Sequence, residues 1–90
     1  AMLYFAIRDT SKGLGELILV AGINRSVGEP DGVFQIEQVF NKIIQANPTY
    51  RKYKIGNLND ILGMTYQDMG KYKKAEKYYI EKLKMGNGYG

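Results

Sequence analysis

Nucleophilic chemistry in this chain would have to start from Ser11 or Ser26, and neither has a histidine to take its proton, because the sequence contains none. Cysteine, the other strong nucleophile and metal ligand, is also missing. Two carboxylates stand close together, Glu29 and Asp31, but they sit in the turn-forming run Gly28-Glu29-Pro30-Asp31-Gly32. There, capping of the following helix by Asp31 accounts for an acidic residue without acid–base catalysis. Gly13-Leu14-Gly15 lacks both the preceding strand and the lysine of a phosphate-cradling loop. No catalytic residue, metal ligand or cofactor is expected, and the chain reads as a binder rather than an enzyme.

What the residue pattern does specify is helices. Tyr72, Ala75, Tyr79, Ile80 and Leu83 recur at three- and four-residue steps, predicting a helix from about Lys71 to Met85 with these residues as its apolar face. Its other side is Lys73, Lys74, Lys77, Glu81 and Lys84, with Lys77 and Glu81 spaced to pair. Gly86-Asn87-Gly88 then supplies residues that tolerate the left-handed geometry of a helix stop. Before it, Ile55, Leu58, Ile61, Leu62, Tyr66 and Met69 define a second amphipathic helix ending at Gly70. Gly63 is expected to admit a neighbouring backbone, Tyr66 to fill the space between helices, and Gly70 to make the turn. Asn47-Pro48 has the form of an N-cap and first helical position, so this helix begins near Pro48, with Gly56 weakening a continuous rod.

A third helix fits residues 32–46, with Val33 or Phe34, Ile36, Val39, Phe40, Ile43 and Ile44 on a wide apolar face. A fourth fits Leu14 to Arg25, burdened by Gly15 and Gly22. Residues 3–7 read equally as a strand or a helical turn. Ninety residues make one small domain, near the lower end of what a single core stabilises. The longest apolar run, Leu17 to Ile23, is far short of the roughly 20 residues that span a bilayer. Neither a membrane span nor a secretory signal is expected, and the cysteine-free chain fits a cytoplasmic setting.

The chain also matches itself. A slide of about 41 residues lays Gly22 on Gly63 and the turn at Gly28–Gly32 near Gly70. With two extra turn residues in the first copy, Ile36 falls on Ala75, Phe40 on Tyr79 and Ile44 on Leu83. The halves are residues 12–47 and 48–87, and residues 86–90 form a tail. A helix-turn-helix unit repeated at such a period points to a helical array whose units cover each other's apolar faces.

Residues 56–87 resemble a tetratricopeptide repeat: Leu62-Gly63, Tyr66, Gly70, Tyr72, Ala75, Tyr79 and Leu83 stand at that family's signature intervals. Pro48 matches the proline that ends a repeat, and the long spacing is similar to the family's long-period variety. The first unit departs, with Ala21-Gly22 for Leu-Gly, Arg25 for the aromatic and Ile36 for the small alanine. The resemblance implies an all-α fold of about four helices, in which antiparallel hairpins stack as a short right-handed solenoid. It also implies a concave groove for a peptide or partner helix, lined by Asn57, Asp60, Met64, Gln67 and Asp68, with Leu19, Ile23 and Ser26 matching in the first unit. Amides there would hold a peptide backbone and the aspartates a basic side chain. Family members that grip acidic tails use lysine and asparagine where this chain has Asp60 and Met64, which disfavours that ligand.

Charge frames the alternative. Residues 1–47 carry four bases and five acids, residues 48–90 nine and four. Arg51, Lys52, Lys54, Lys73, Lys74 and Lys77, interleaved with tyrosines, form a candidate basic surface for nucleic acid, although lysines at this spacing are more often a solvated helix face. Two units also leave apolar end faces. That predicts self-association or neighbouring repeats in a longer parent chain, with Phe34, Val39, Phe40, Ile43 and Ile44 as the motivating face.

Overall fold

The computed structural model describes residues 10–87, with side chains over residues 13–85, and all its regular structure there is helical. Helix α1 spans Thr10–Ser26, α2 Pro30–Ala46, α3 Arg51–Asn57, α4 Asn59–Asp68 and α5 Tyr72–Asn87, with a 3-10 turn at Pro48–Tyr50 leading into α3. Residues 3–7, Gly88 and the rest of the tail lie outside the described residues.

Two hairpins, α1/α2 and α4/α5, make the closest helix pairings. Each first helix closes with a Schellman motif around a left-handed glycine. Gly28 has φ +76° and Gly70 φ +78°. Glu29 N–H donates to Asn24 O and Gly28 N–H to Arg25 O; Lys71 N–H donates to Tyr66 O and Gly70 N–H to Gln67 O. These bonds satisfy carbonyls that a helix end otherwise leaves open. Gly28 and Gly70, the two sets of bonds, the ends of α1 and α4, and the starts of α2 and α5 all lie 42 positions apart. The repeat therefore runs in a register of 42 with turns of equal length. The register expected from Gly22 on Gly63, with a longer first turn, is corrected: Ala21, fully buried, is the partner of Gly63.

Asn47 caps as its type requires, its Oδ1 accepting from Thr49 N–H at 3.3 Å. Asp31 does not cap. Glu29 occupies that position without a side-chain bond, and Asp31 lies in the first turn of α2, where its charge favours the helix dipole. The rod between Pro48 and Gly70 is broken at Leu58 and not at Gly56. Leu58 keeps helical angles and is wholly buried, so burial of its side chain coincides with the irregular turn.

The core joins the hairpins: Leu14, Ala21, Val33, Ile36 and Phe40 from the first, Leu58 and Leu62 from the second. Each large side chain here contributes roughly 1.5–3 kcal/mol by leaving water. Tyr66 fills the space between helices as expected, its ring 5.0 Å from Phe34 and 5.6 Å from Tyr78. Gly63 admits a ring and not a backbone: a Cβ there would stand 2.5 Å from Tyr79.

The expected face of α5 is only partly the packed one. Ala75 is buried, but Tyr72, Ile80 and Leu83 are exposed, because α5 turns Ala75, Tyr78 and Lys82 toward α4. Glu81 does not pair with Lys77 as its first partner; it accepts from Asn59 Nδ2 at 2.8 Å and faces Arg51 at 4.0 Å. Helix α5 continues through Gly86 and Asn87, two residues past the expected stop.

Candidate functional site

Helical spacing sets Asp60, Met64 and Gln67 in one row along α4, on the flank away from buried Leu62 and Thr65. Met64 and Asp60 are half-buried and Gln67 is exposed. The row's polar groups are held from below: Lys82 binds Asp60 Oδ2, and Tyr79 O–H donates to Gln67 Oε1 at 3.2 Å. Asn57, exposed at the end of α3, donates to Tyr53 O. Asp68 leaves the row for α1, where Arg25 Nε stands 3.1 Å from its Oδ2. Both Asp68 oxygens are taken by Arg25, whereas only Oδ2 of Asp60 is engaged, so within the row Asp60 Oδ1 is the carboxylate acceptor offered at a fixed position.

The first-unit candidates divide. In the register of 42, the positions matching Asn57, Asp60, Met64, Gln67 and Asp68 are Gly15, Ile18, Gly22, Arg25 and Ser26. Ser26 keeps its place, with its hydroxyl donating to Ile23 O. Leu19 and Ile23 belong elsewhere: with Val20 and Val27 they form an exposed apolar stripe along α1, 43–65 % accessible. The resemblance had implied that they line a groove; in the structure they lie on an exposed side of α1.

The basic surface loses one member and keeps five. Lys54 is not on the surface: its ammonium pairs with Glu37 at 3.3 Å, both side chains largely buried, and lies 5.9 Å from the Tyr78 ring centre. Tyr78 completes this cluster by donating its O–H to the same Glu37 oxygen at 2.7 Å. Burial pushes the Tyr78 phenol well above its ordinary range, and the neighbouring Glu37 charge adds to the shift. Tyr78 carried no signal of its own, since the tyrosine beside it, Tyr79, fitted the helical period. Arg51, Lys52, Lys73, Lys74 and Lys77 are exposed.

Lys74, Lys77 and Lys84 edge a groove of about 560 Å³ floored by Tyr66 and Tyr78. Stacking of a base needs a free ring face. Here Tyr66 lies between Phe34 and Tyr78, with the Lys74 ammonium 5.4 Å above it, while Tyr78 is stacked on Tyr66 and approached by Lys54. Comparison of the chain with protein-family models, curated proteins and solved structures found no match. Among the described residues no three acidic side chains gather to hold a metal ion, and no helix is long and apolar enough to cross a membrane.

Proposed function

We propose that the chain is a non-catalytic protein-interaction module of tetratricopeptide-like, solenoid build, which takes an extended peptide along α4. The observation that carries this reading is the row Asp60, Met64 and Gln67, flanked by Asn57. The core does not use these side chains, yet Lys82 and Tyr79 hold two of them in place. Preorganised acceptors reduce the ordering cost of binding. The amides suit a peptide backbone, Met64 an apolar side chain and Asp60 a basic one.

The test is a titration of the 90-residue chain with fluorescent peptides that alternate basic and apolar residues. Binding that weakens roughly tenfold on Asp60→Asn, the scale of one charge-assisted hydrogen bond, supports the row. Binding unchanged by Asp60→Asn and by Gln67→Ala refutes it. The nucleic-acid alternative rests on the exposed lysines of α5, and the occupied faces of Tyr66 and Tyr78 favour the peptide over it.

A further inference from the structure

The register of 42 turns two uncovered faces into a matched pair. The exposed side of α1 is Glu16, Leu19, Val20, Ile23 and Val27. Their counterparts 42 positions on are Leu58, Ile61, Leu62, Thr65 and Met69. That second set is the side by which hairpin two rests on hairpin one. Leu58 and Leu62 are wholly buried in the shared core, and Ile61 is the side chain that a Cβ at Gly22 would meet, at 3.9 Å. Thr65 and Met69 line a cavity of about 250 Å³ with Arg25 and Pro30. Helix α1 thus repeats a docking side, and among the described residues no hairpin packs on it.

At the opposite end the same arithmetic holds. Hairpin one receives hairpin two on Pro30, Phe34, Glu37 and Asn41: Phe34 packs on Tyr66, Glu37 accepts from Tyr78, and Asn41 faces Arg51 and Ile55 across a cavity of about 210 Å³. Their counterparts are Tyr72, Glu76, Tyr79 and Leu83. Tyr72 is 66 % and Leu83 63 % exposed. The receiving side is therefore also repeated, and Tyr72 and Leu83 on it are uncovered, while Tyr79 between them is half-buried over Gly63.

We infer that the chain docks head-to-tail on a second copy of itself, the α1 stripe of one copy seating on Tyr72, Tyr79 and Leu83 of the next. The junction repeats the one already formed between the two hairpins, so its occupant is a hairpin with the α1 pattern. Charge agrees with this choice. Within the molecule Leu58 and Phe40 share the core; the residues at those two places in the new junction are Glu16 and Lys82, of opposite sign, so Glu16 would join the ion pair that Lys82 makes with Asp60. The net charges of residues 1–47 and 48–90 are also opposite in sign. Because the two faces differ, each copy keeps one free at either end, and growth does not stop at a dimer. Gly22 and Arg25, which hairpin two touches, have Met64 and Gln67 as counterparts, so the junction covers part of the α4 row; self-association is read by mass on Ile23→Glu and peptide binding by titration on Asp60→Asn, and either reading can fail without the other.

The test is mass by light scattering over a dilution series of the chain, Ile23→Glu, Leu83→Glu, and an equimolar mixture of the two variants. Both positions are more than half exposed, and far-UV circular dichroism confirms that the variants stay helical. Native mass should rise past two copies with concentration. Each variant should weaken association about tenfold or more, since an unpaired charge enters an apolar junction. The mixture should recover a dimer and nothing larger, built from the intact α5 face of Ile23→Glu and the intact α1 face of Leu83→Glu. Should a variant lose helicity, the cysteine-free chain allows Ile23→Cys and Tyr72→Cys copies to be mixed, these being the counterparts of Thr65 and Pro30, which line one cavity, and disulfide formation between unlike copies replaces the measurement. A native monomer at every concentration, a dimer indifferent to Leu83→Glu, or cross-linking only between like copies overturns the inference.

Discussion

The two hairpins share their turns and register, yet solve the problem of close packing in opposite ways. In hairpin two the glycine is on the first helix: Gly63 lies under Tyr79, whose ring fills the space a Cβ would need. In hairpin one it is on the second: Gly32 lies under the side chain of Asn24, 2.3 Å from where a Cβ would be. Hairpin two ties itself with polar groups as well, the buried Asn59 donating to Tyr78 O and Glu81. Hairpin one relies on aliphatic burial around Ala21, Val33 and Ile36. Equal backbone geometry therefore does not require equal side chains; the turn bonds fix the register, and each interface is then filled by whatever volume its glycine leaves.

The largest test of that comparison removes the side chain that joins its halves. Phe40 belongs to hairpin one but stacks on Tyr53, with ring centres 6.4 Å apart, and is wholly buried. Phe40→Ala should cost about 3–5 kcal/mol in urea unfolding. A loss under about 1 kcal/mol would show that the hairpins do not depend on each other through this ring.

Two alanine substitutions should then move in opposite directions. Gly63→Ala forces Tyr79 to shift and should destabilise by about 1–3 kcal/mol. Gly22→Ala meets only Ile61, at 3.9 Å, and gains helix propensity, so it should stabilise by up to about 1 kcal/mol. Equal effects would restore the pairing of Gly22 with Gly63. The turns, by contrast, should respond alike: Gly28→Ala and Gly70→Ala each place an L-residue at positive φ, and thermal unfolding should register a loss of about 1–2 kcal/mol for both.

The smallest effect is confined to alkali. The folded Tyr78 phenol holds its proton to a higher pH than the unfolded one, because burial and Glu37 oppose the phenolate. Its contribution is fully present below the unfolded tyrosine range, near pH 10, and is lost as pH rises beyond it. Tyr78→Phe should flatten the decline in stability above that pH, as followed by circular dichroism. An unchanged slope would show that the cluster linking the hairpins through Glu37 and Lys54 does not sense the phenol's charge.

Much of the fold was legible. Period alone located α2 and α5, Asn47-Pro48 marked the entry to the second half, and Gly70 marked its turn, because caps and left-handed turns depend on one or two residues in sequence. The register was legible too, but from Gly28 and Gly70 as helix stops; matching small residues at Gly22 and Gly63 misplaced it by one. The candidate residues on α4 came from the resemblance to a tetratricopeptide repeat. Their anchors did not, since Lys82, Tyr79 and Arg25 reach them from other helices.

The sequence by itself determined which segments are helical, where each turns, and that no histidine or cysteine chemistry is available. Tertiary structure decided which side of each helix is covered. Lys54 lies among lysines in sequence, yet an ion pair with Glu37 and the ring of Tyr78 make its burial tolerable. Leu19, Ile23 and Leu83 have every local reason to be core and are exposed, because the two described hairpins form one junction and it lies elsewhere. Local propensity acts through neighbours along the chain; burial acts through whatever else folds against it.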